Sequence, residues 1–212
     1  MAQYFSVHPE NPQPRLIRQA VDIIRGGGVI AYPTDSCYAL GCHIGDKSAM
    51  ERIRAIRDVD ERHHLTLVCR DLAEVGQFAK VDNLQYRLIR ANTPGHYTFI
   101  LRAAREVPRR LLHPRHTIGV RIPGHAVVRA LLEELGEPLL SSTLILPAHG
   151  VALNDPAEIR RHLEHKLDLV IDAGACDGQV TTVIDLSGDA PRLLREGKGD
   201  TRPFGFVKEA LH

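Results

Sequence analysis

Short apolar runs bounded by turn residues alternate with stretches of helical periodicity along most of the chain, and this alternation confines the fold to a sheet with helices packed on it. Leu16, Ile17, Ala20, Val21, Ile23 and Ile24 fall at helical spacing, and Gly26, Gly27 and Gly28 stop that helix before an apolar strand, Val29 to Tyr32. Asp46 caps a second helix that passes Met50, Ile53 and Ile56 and ends near Arg57, and Leu65 to Cys69 follows as a short strand. Asp71 and Glu74 have capping-box spacing and open a third helix, while Leu84, Leu88 and Ile89 mark a fourth that Pro94 and Gly95 end. Strands are expected at Tyr97 to Arg102 and Thr117 to Ile122, the second feeding a helix with Val127, Val128, Leu131, Leu132 and Leu135 on its apolar face and Gly136 at its end. Leu139 to Ser142 reads as a strand. Asn154-Asp155-Pro156 starts a helix in which Glu158 completes the capping box, and Leu169 to Asp172, Thr182 to Leu186 and Leu193 to Arg195 are the remaining short strands. Without repeats or long linkers, the expectation is one α/β domain across residues 1–212, its core running from about residue 12 to about residue 200, built as a twisted mixed sheet with flanking helices.

Charge is unevenly spread. Between Arg87 and Arg121 stand eight arginines (Arg87, Arg90, Arg102, Arg105, Arg109, Arg110, Arg115 and Arg121) and one acid, Glu106, a segment of +7. The remaining 19 bases and 25 acids leave the rest of the chain at −6, although the whole carries only +1. Such separation produces a basic face fit for a polyanion if folding gathers the arginines, and nothing of the kind if it scatters them. Aromatic residues make up 5% and Trp is absent, so an RNA partner would be held by phosphate contacts more than by stacked bases.

Cys37, Cys42, Cys69 and Cys176 form no Cys-x-x-Cys pair and read as reduced thiols, three of them in buried segments. His63-His64 and Cys42-His43 lack zinc-motif spacing, so no structural metal is expected. The amino terminus has no basic start leading into an apolar stretch, and no run of about 18 apolar residues occurs, which argues for a cytoplasmic protein without a membrane partner.

The segment Ala31 to Cys42, AYPTDSCYALGC, is an apolar strand running into Pro33 and then hydroxylated residues. A strand end carrying Thr34 and Ser36 offers hydroxyls and backbone donors where open α/β sheets place ligands, and it also serves as an ordinary turn. Asp35 reads as a turn residue that helps position Thr34, and Asp185 as an acid capping the turn after its strand. With TPGHYTFIL at Thr93 to Leu101, IGVRIP at Ile118 to Pro123, GEPLLSST at Gly136 to Thr143, TTVIDL at Thr181 to Leu186 and LREG at Leu194 to Gly197, the chain resembles the YrdC-like family, closest to its YciO branch.

That resemblance implies a YrdC-like fold with a concave basic cleft. It also implies threonylcarbamoyl-AMP synthase-like chemistry in the pathway to threonylcarbamoyladenosine in tRNA. There an N-carboxylated L-threonine, formed with bicarbonate, attacks the α-phosphate of ATP and pyrophosphate leaves, with Mg2+ expected alongside the triphosphate. By resemblance Thr34 and Tyr38 border the amino acid, Arg57 and Thr34 are the catalytic candidates, and Arg57, Arg121, Ser141, Thr143, Thr182 and Arg195 surround the nucleotide. Planar arginine forks and hydroxyls suit a phosphate shell.

Two of the family's signatures are altered. Counting back from Leu65 puts Arg57 at the lysine of Lys-x-Arg and Val59 at its arginine, while Ser-x-Asn becomes Thr143 and Ile145. Arg54, Arg62, His63 and His64 flank the first change and are candidates to compensate it. Three functions stay open: a synthase of weakened or altered activity, a nucleotide-hydrolysing protein that keeps only the pocket, and a non-catalytic module for double-stranded RNA or tRNA with Arg109, Arg110 and Arg115 as contacts. No protein partner is expected.

Overall fold

A computed structural model describes residues 1–60, 62, 63, 65–105, 107, 111, 113 and 115–206. Its helices follow the local signals. α1 (Pro14–Arg25) has Pro at its first position and buries Ile17, Ala20, Val21 and Ile24. α2 (Lys47–Arg57) is capped by Asp46, which accepts from the Ala49 N–H. At α3 (Leu72–Phe78) Asp71 caps as expected, but Glu74 turns to the Arg70 N–H (2.7 Å), so the box is not reciprocal. The reciprocal box belongs to α4 (Asn83–Asn92), between Asp82 and Gln85. α5 (Ala126–Leu135) ends at Gly136, whose φ of 76° lies in the left-handed region where a Cβ is costly. Asp155 alone caps α6 (Pro156–Leu163), and Glu158 instead faces His162 one turn on.

The strands join into one mixed sheet. In spatial order they are β1 (Gln3–Ser6), β9 (Leu169–Asp172), β2 (Ile30–Tyr32), β3 (Ala39–His43), β8 (Leu139–Thr143), β4 (Thr66–Val68), β7 (Thr117–Arg121), β6 (Tyr97–Ala103), β10 (Thr182–Asp185) and β11 (Arg192–Arg195), with β5 (Ala79–Lys80) paired to β6. The pairs β1–β9, β2–β9, β4–β7 and β6–β10 are parallel and the others antiparallel. β1, β3 and β5 were not expected from the sequence.

Alternate residues of single strands enter two separate cores, so the sheet is buried on both faces. Leu140, Leu67, Ala31 and Val170 pack with Ile53, Ile56, Ile89 and Ile159 of α2, α4 and α6. Leu139, Val68, Ile30, Leu169 and Ile171 pack with the apolar stripes of α1 and α5. On this second face α1 and α5 cover the half formed by β9, β2, β3 and β8. The other half is the floor of a cleft.

Candidate functional site

Register builds the floor. Ser141 pairs with Thr66, Thr66 with Gly119 and Gly119 with Ile100, while Val183 pairs with both Thr98 and Arg195. Cross-strand partners project to one side, so all of these share the face left open by α1 and α5. Gly119 keeps the floor low, since a Cβ there would stand 3.3 Å from Thr66 Oγ1. The resulting cleft, about 230 Å³, is lined by Arg57, Arg62, His63 and Arg195, by Thr66, Thr98, Ser142 and Thr143, and by Ile100, Ile145, Val183 and Leu194. Three arginines and a histidine meet four hydroxyl side chains and an aliphatic wall. No carboxylate is among these lining residues.

Arg57 leaves the end of α2 and reaches the end of β8, where its Nη1 donates to Ser142 Oγ (3.2 Å) and to the Thr143 carbonyl. Its buried Nε has no partner among the described residues, and the Nε atoms of Arg54 and Arg121 are in the same state. Burial lowers the pKa of Arg57, with Arg195 adding to the effect, and burial likewise lowers that of Arg195. The His63 imidazole is pushed below its ordinary value first by burial and then by Arg57, Arg195 and Arg54, against a weaker pull from Asp60. Buried guanidinium donors without acceptors cost free energy until an anion arrives. The arrangement is therefore suited to phosphate, which accepts from planar arginine forks and hydroxyls together.

A second cation lies on the same face of β7. Arg121, 7% exposed, donates through Nη2 to the Asp35 carboxylate and to Ser36 Oγ (2.9 Å). Asp35 also accepts from the Gly124 N–H (2.8 Å) and lies 3.6 Å from His96 Nδ1. Lys198 donates to the Asp35 carbonyl (3.1 Å) and pairs with Asp177. Asp35 is thus the counter-ion of Arg121, a role the sequence did not reveal.

The remaining expected site residues divide. Thr143 and Arg195 line the cleft with Arg57. Arg195 is held by Thr181, donating from Nε to its carbonyl (3.0 Å) and from Nη2 to its hydroxyl (3.0 Å). The Thr34 hydroxyl is buried in its own turn, donating to the Cys37 carbonyl (2.6 Å) and accepting from the Ser36 and Cys37 N–H groups. Tyr38 is fully buried and donates to the Gly174 carbonyl (2.9 Å). Ser141 has the register of the floor, yet its hydroxyl sits against Tyr32 Oη (2.6 Å) and the Leu40 carbonyl (2.9 Å). Thr182 donates to the Gly199 carbonyl (2.7 Å) and accepts from the Gly197 N–H; the close approach of Gly197 to the backbone of Val180 and Thr181, just before β10, leaves no room for a side chain there. Of the residues flanking the altered Lys-x-Arg motif, Arg62 and His63 line the cleft and His64 lies outside the described residues, while Ser142, Thr66 and Thr98 line it without having been singled out as binding residues.

Ile145 is part of the cleft wall and separates it from a neighbouring cavity lined by Val151, Ala152, Gln179 and Glu196. Val59 is half-buried on the segment after α2. Of the RNA candidates, Arg109 and Arg110 lie outside the described residues. Arg115 is exposed beside Lys80, Arg102 and His116 at a separate surface cavity. Arg87 and Arg90 are exposed on α4, so the basic segment is spread over several elements.

Cys37, Cys42 and Cys69 are buried and Cys176 half-buried, all as free thiols. Asp185 caps its turn as expected, accepting from the Ser187 N–H (2.9 Å). No helix among the described residues is long and apolar enough to cross a membrane.

Residues 22–197 match the Sua5/YciO/YrdC family, described as telomere recombination. The chain is 55% identical to the YciO protein of Escherichia coli K12 over 205 residues, covering 96% of this chain and all of that one. The crystal structure of E. coli YciO superimposes with a TM-score of 0.94. The threonylcarbamoyl-AMP synthase of Halorhodospira halophila is 30% identical over 164 residues, or 77% of this chain and 85% of the synthase. Sua5 of P. abyssi, solved in complex with L-threonine, matches 92% of this chain and 57% of its own length at 26% identity and a TM-score of 0.83.

Proposed function

The chain belongs to the Sua5/YciO/YrdC family as a YciO-type protein related to threonylcarbamoyl-AMP synthases, and from that premise we propose that its cleft binds ATP and supports a weakened form of the synthase reaction. The observation that carries this reading is the convergence of Arg57, Arg62, His63 and Arg195 on a cleft whose lining, among the described residues, holds hydroxyls and no carboxylate. Arg57 and Arg195 take the phosphates, with Ser142 and Thr143 completing the shell, while Ile100, Val183 and Leu194 supply an apolar wall for the nucleoside. Magnesium, where it takes part, enters as the triphosphate's counter-ion, because these lining residues offer it no carboxylate. L-Threonine and bicarbonate are the co-substrates by kinship with the synthases.

The weakening follows from two side chains. Val59 and Ile145 stand where the family's pattern has arginine and asparagine, and neither can donate a hydrogen bond to charge developing at the α-phosphate. Loss of one such oriented donor costs about 3 kcal/mol, on the order of a hundredfold in rate. Purified protein given ATP, L-threonine, bicarbonate and Mg2+ is expected to release pyrophosphate slowly and only with threonine present. Val59→Arg combined with Ile145→Asn is expected to accelerate release. Absence of threonine-dependent pyrophosphate from both forms overturns the catalytic reading.

A non-catalytic module for double-stranded RNA or tRNA is the second reading, favoured by the exposed grouping of Lys80, Arg102, Arg115 and His116. Its affinity would fall steeply with salt as counterions are released, and Arg102→Ala with Arg115→Ala would flatten the slope.

A further inference from the structure

The segment joining β8 to α6 makes a narrow excursion from the sheet. Its base is closed by the Leu153 N–H donating to the Leu144 carbonyl (2.9 Å) and by an antiparallel bridge between Ile145 and Ala152. Its tip turns through N–H groups of His149 and Gly150 that both reach the Leu146 carbonyl. The tip comes to rest on α6, where the His149 ring meets the His162 ring edge to face with centroids 4.9 Å apart. Glu158 lies one helical turn before His162, and its carboxylate is 3.9 Å from His162 Nε2. One ligand atom from each of His149, Glu158 and His162 lies within 4.8 Å of the other two.

We propose that His149, Glu158 and His162 form a binding site for a divalent transition-metal ion of the zinc class, which staples the tip of this excursion to α6. Two imidazoles and a carboxylate are a donor set that zinc accepts, with a fourth position left to water. Zinc at its usual ligand distances holds tetrahedral donors about 3.4 Å apart, so side-chain rotation of three half-exposed or exposed groups closes the set without moving the backbone. Glu158 and His162 are already on one face of α6, as residues four apart must be. Imidazole donors select zinc, nickel or copper over magnesium, so this site is chemically separate from any magnesium carried by a nucleotide.

The test is calorimetric titration of ZnCl2 into the tag-free full-length chain after removal of metals by chelator, with thermal unfolding as a second measurement. The wild type is expected to bind zinc and to gain thermal stability from it. His149→Ala and His162→Ala should each weaken the binding at least tenfold, and the double variant should lose one equivalent of zinc and the thermal gain. Glu158→Gln should weaken it less. His165→Ala, on the same stretch but outside the trio, should leave it unchanged, and MgCl2 should not compete. Absence of saturable zinc binding in the wild type overturns the proposal. So does a double variant that binds as many equivalents as the wild type, or a loss in His165→Ala as large as in His162→Ala.

Discussion

Arg57 and Ser142 meet where the last turn of α2 approaches the end of β8, the guanidinium donating to the hydroxyl at 3.2 Å while its own buried Nε has no partner among the described residues. On the proposed reading, the part of the fork that the described residues leave unengaged serves the phosphates. Replacing Arg57 by Ala should reduce ATP affinity on the order of thirtyfold, the worth of about 2 kcal/mol for a charge-assisted hydrogen bond. Arg57→Lys should fall between, because it keeps the charge and loses the planar geometry. Titration calorimetry with ATP checks both; equal affinity in all three proteins would remove Arg57 from the binding shell.

His63 gives the cleft a pH dependence. Burial, then Arg57, Arg195 and Arg54, hold its pKa below the ordinary 6.5 in the free protein, with Asp60 opposing them more weakly. A bound phosphate places negative charge beside the imidazole and raises that pKa, so binding takes up a proton. Affinity for pyrophosphate is therefore expected to increase as pH falls through the raised value of the complex, and to level off below the lowered value of the free protein. His63→Gln should flatten the profile relative to wild type. Parallel profiles in the two proteins would refute the assignment.

Asp35 neutralises Arg121 in a setting where both are nearly buried, their side chains 11% and 8% exposed. Asp35→Ala leaves a buried guanidinium without its partner and is expected to lower unfolding free energy by about 3 kcal/mol. Asp35→Ala combined with Arg121→Met should recover most of that loss, since the stranded charge is gone. Urea denaturation of the two variants measures the difference, and an equal loss in both would contradict the coupling.

Acid stability has a local contributor in Asp185. Burial disfavours its ionised form, but bonds from Ser187 and Arg192 outweigh that and bring its pKa below the usual carboxylate value. A carboxyl depressed in the folded state stabilises the fold above its unfolded pKa, and the contribution fades as pH falls toward the folded value. Asp185→Asn is expected to be less stable than wild type at neutral pH, with the gap narrowing below about pH 4. A gap independent of pH would show that the charge of Asp185 is not what stabilises.

Local signals made the helices legible: Asp46, Asp71 and Asp155 cap where their spacing placed them, and Gly136 ends α5 in the left-handed conformation only glycine enters freely. β1 was hidden because four residues near the amino terminus become a strand only by pairing with β9, far along the chain. β3 was hidden because Ala39 and Gly41 lack strand propensity and are held by β2 and β8 on either side. In the site, residue types were readable and allegiances were not. Ser141 has the register for the cleft, but Tyr32 and Leu40 claim its hydroxyl. Asp35 looked like a turn residue until Arg121 arrived from a strand 86 residues away. His162 and Glu158 are plainly one turn apart in the sequence, whereas His149 joins them only through the fold of the intervening excursion.

The roofing of one sheet face by α1 and α5 over only half its width divides the molecule's obligations. Under the roof, a changed side chain disturbs packing and the chain's ability to fold. Around the open floor, side chains such as Thr66, Thr98 and Val183 face the cleft, and a change there leaves the register of the strands beneath in place. Foldability therefore rests on the covered half, and whatever the cleft binds is decided by side chains of the open one.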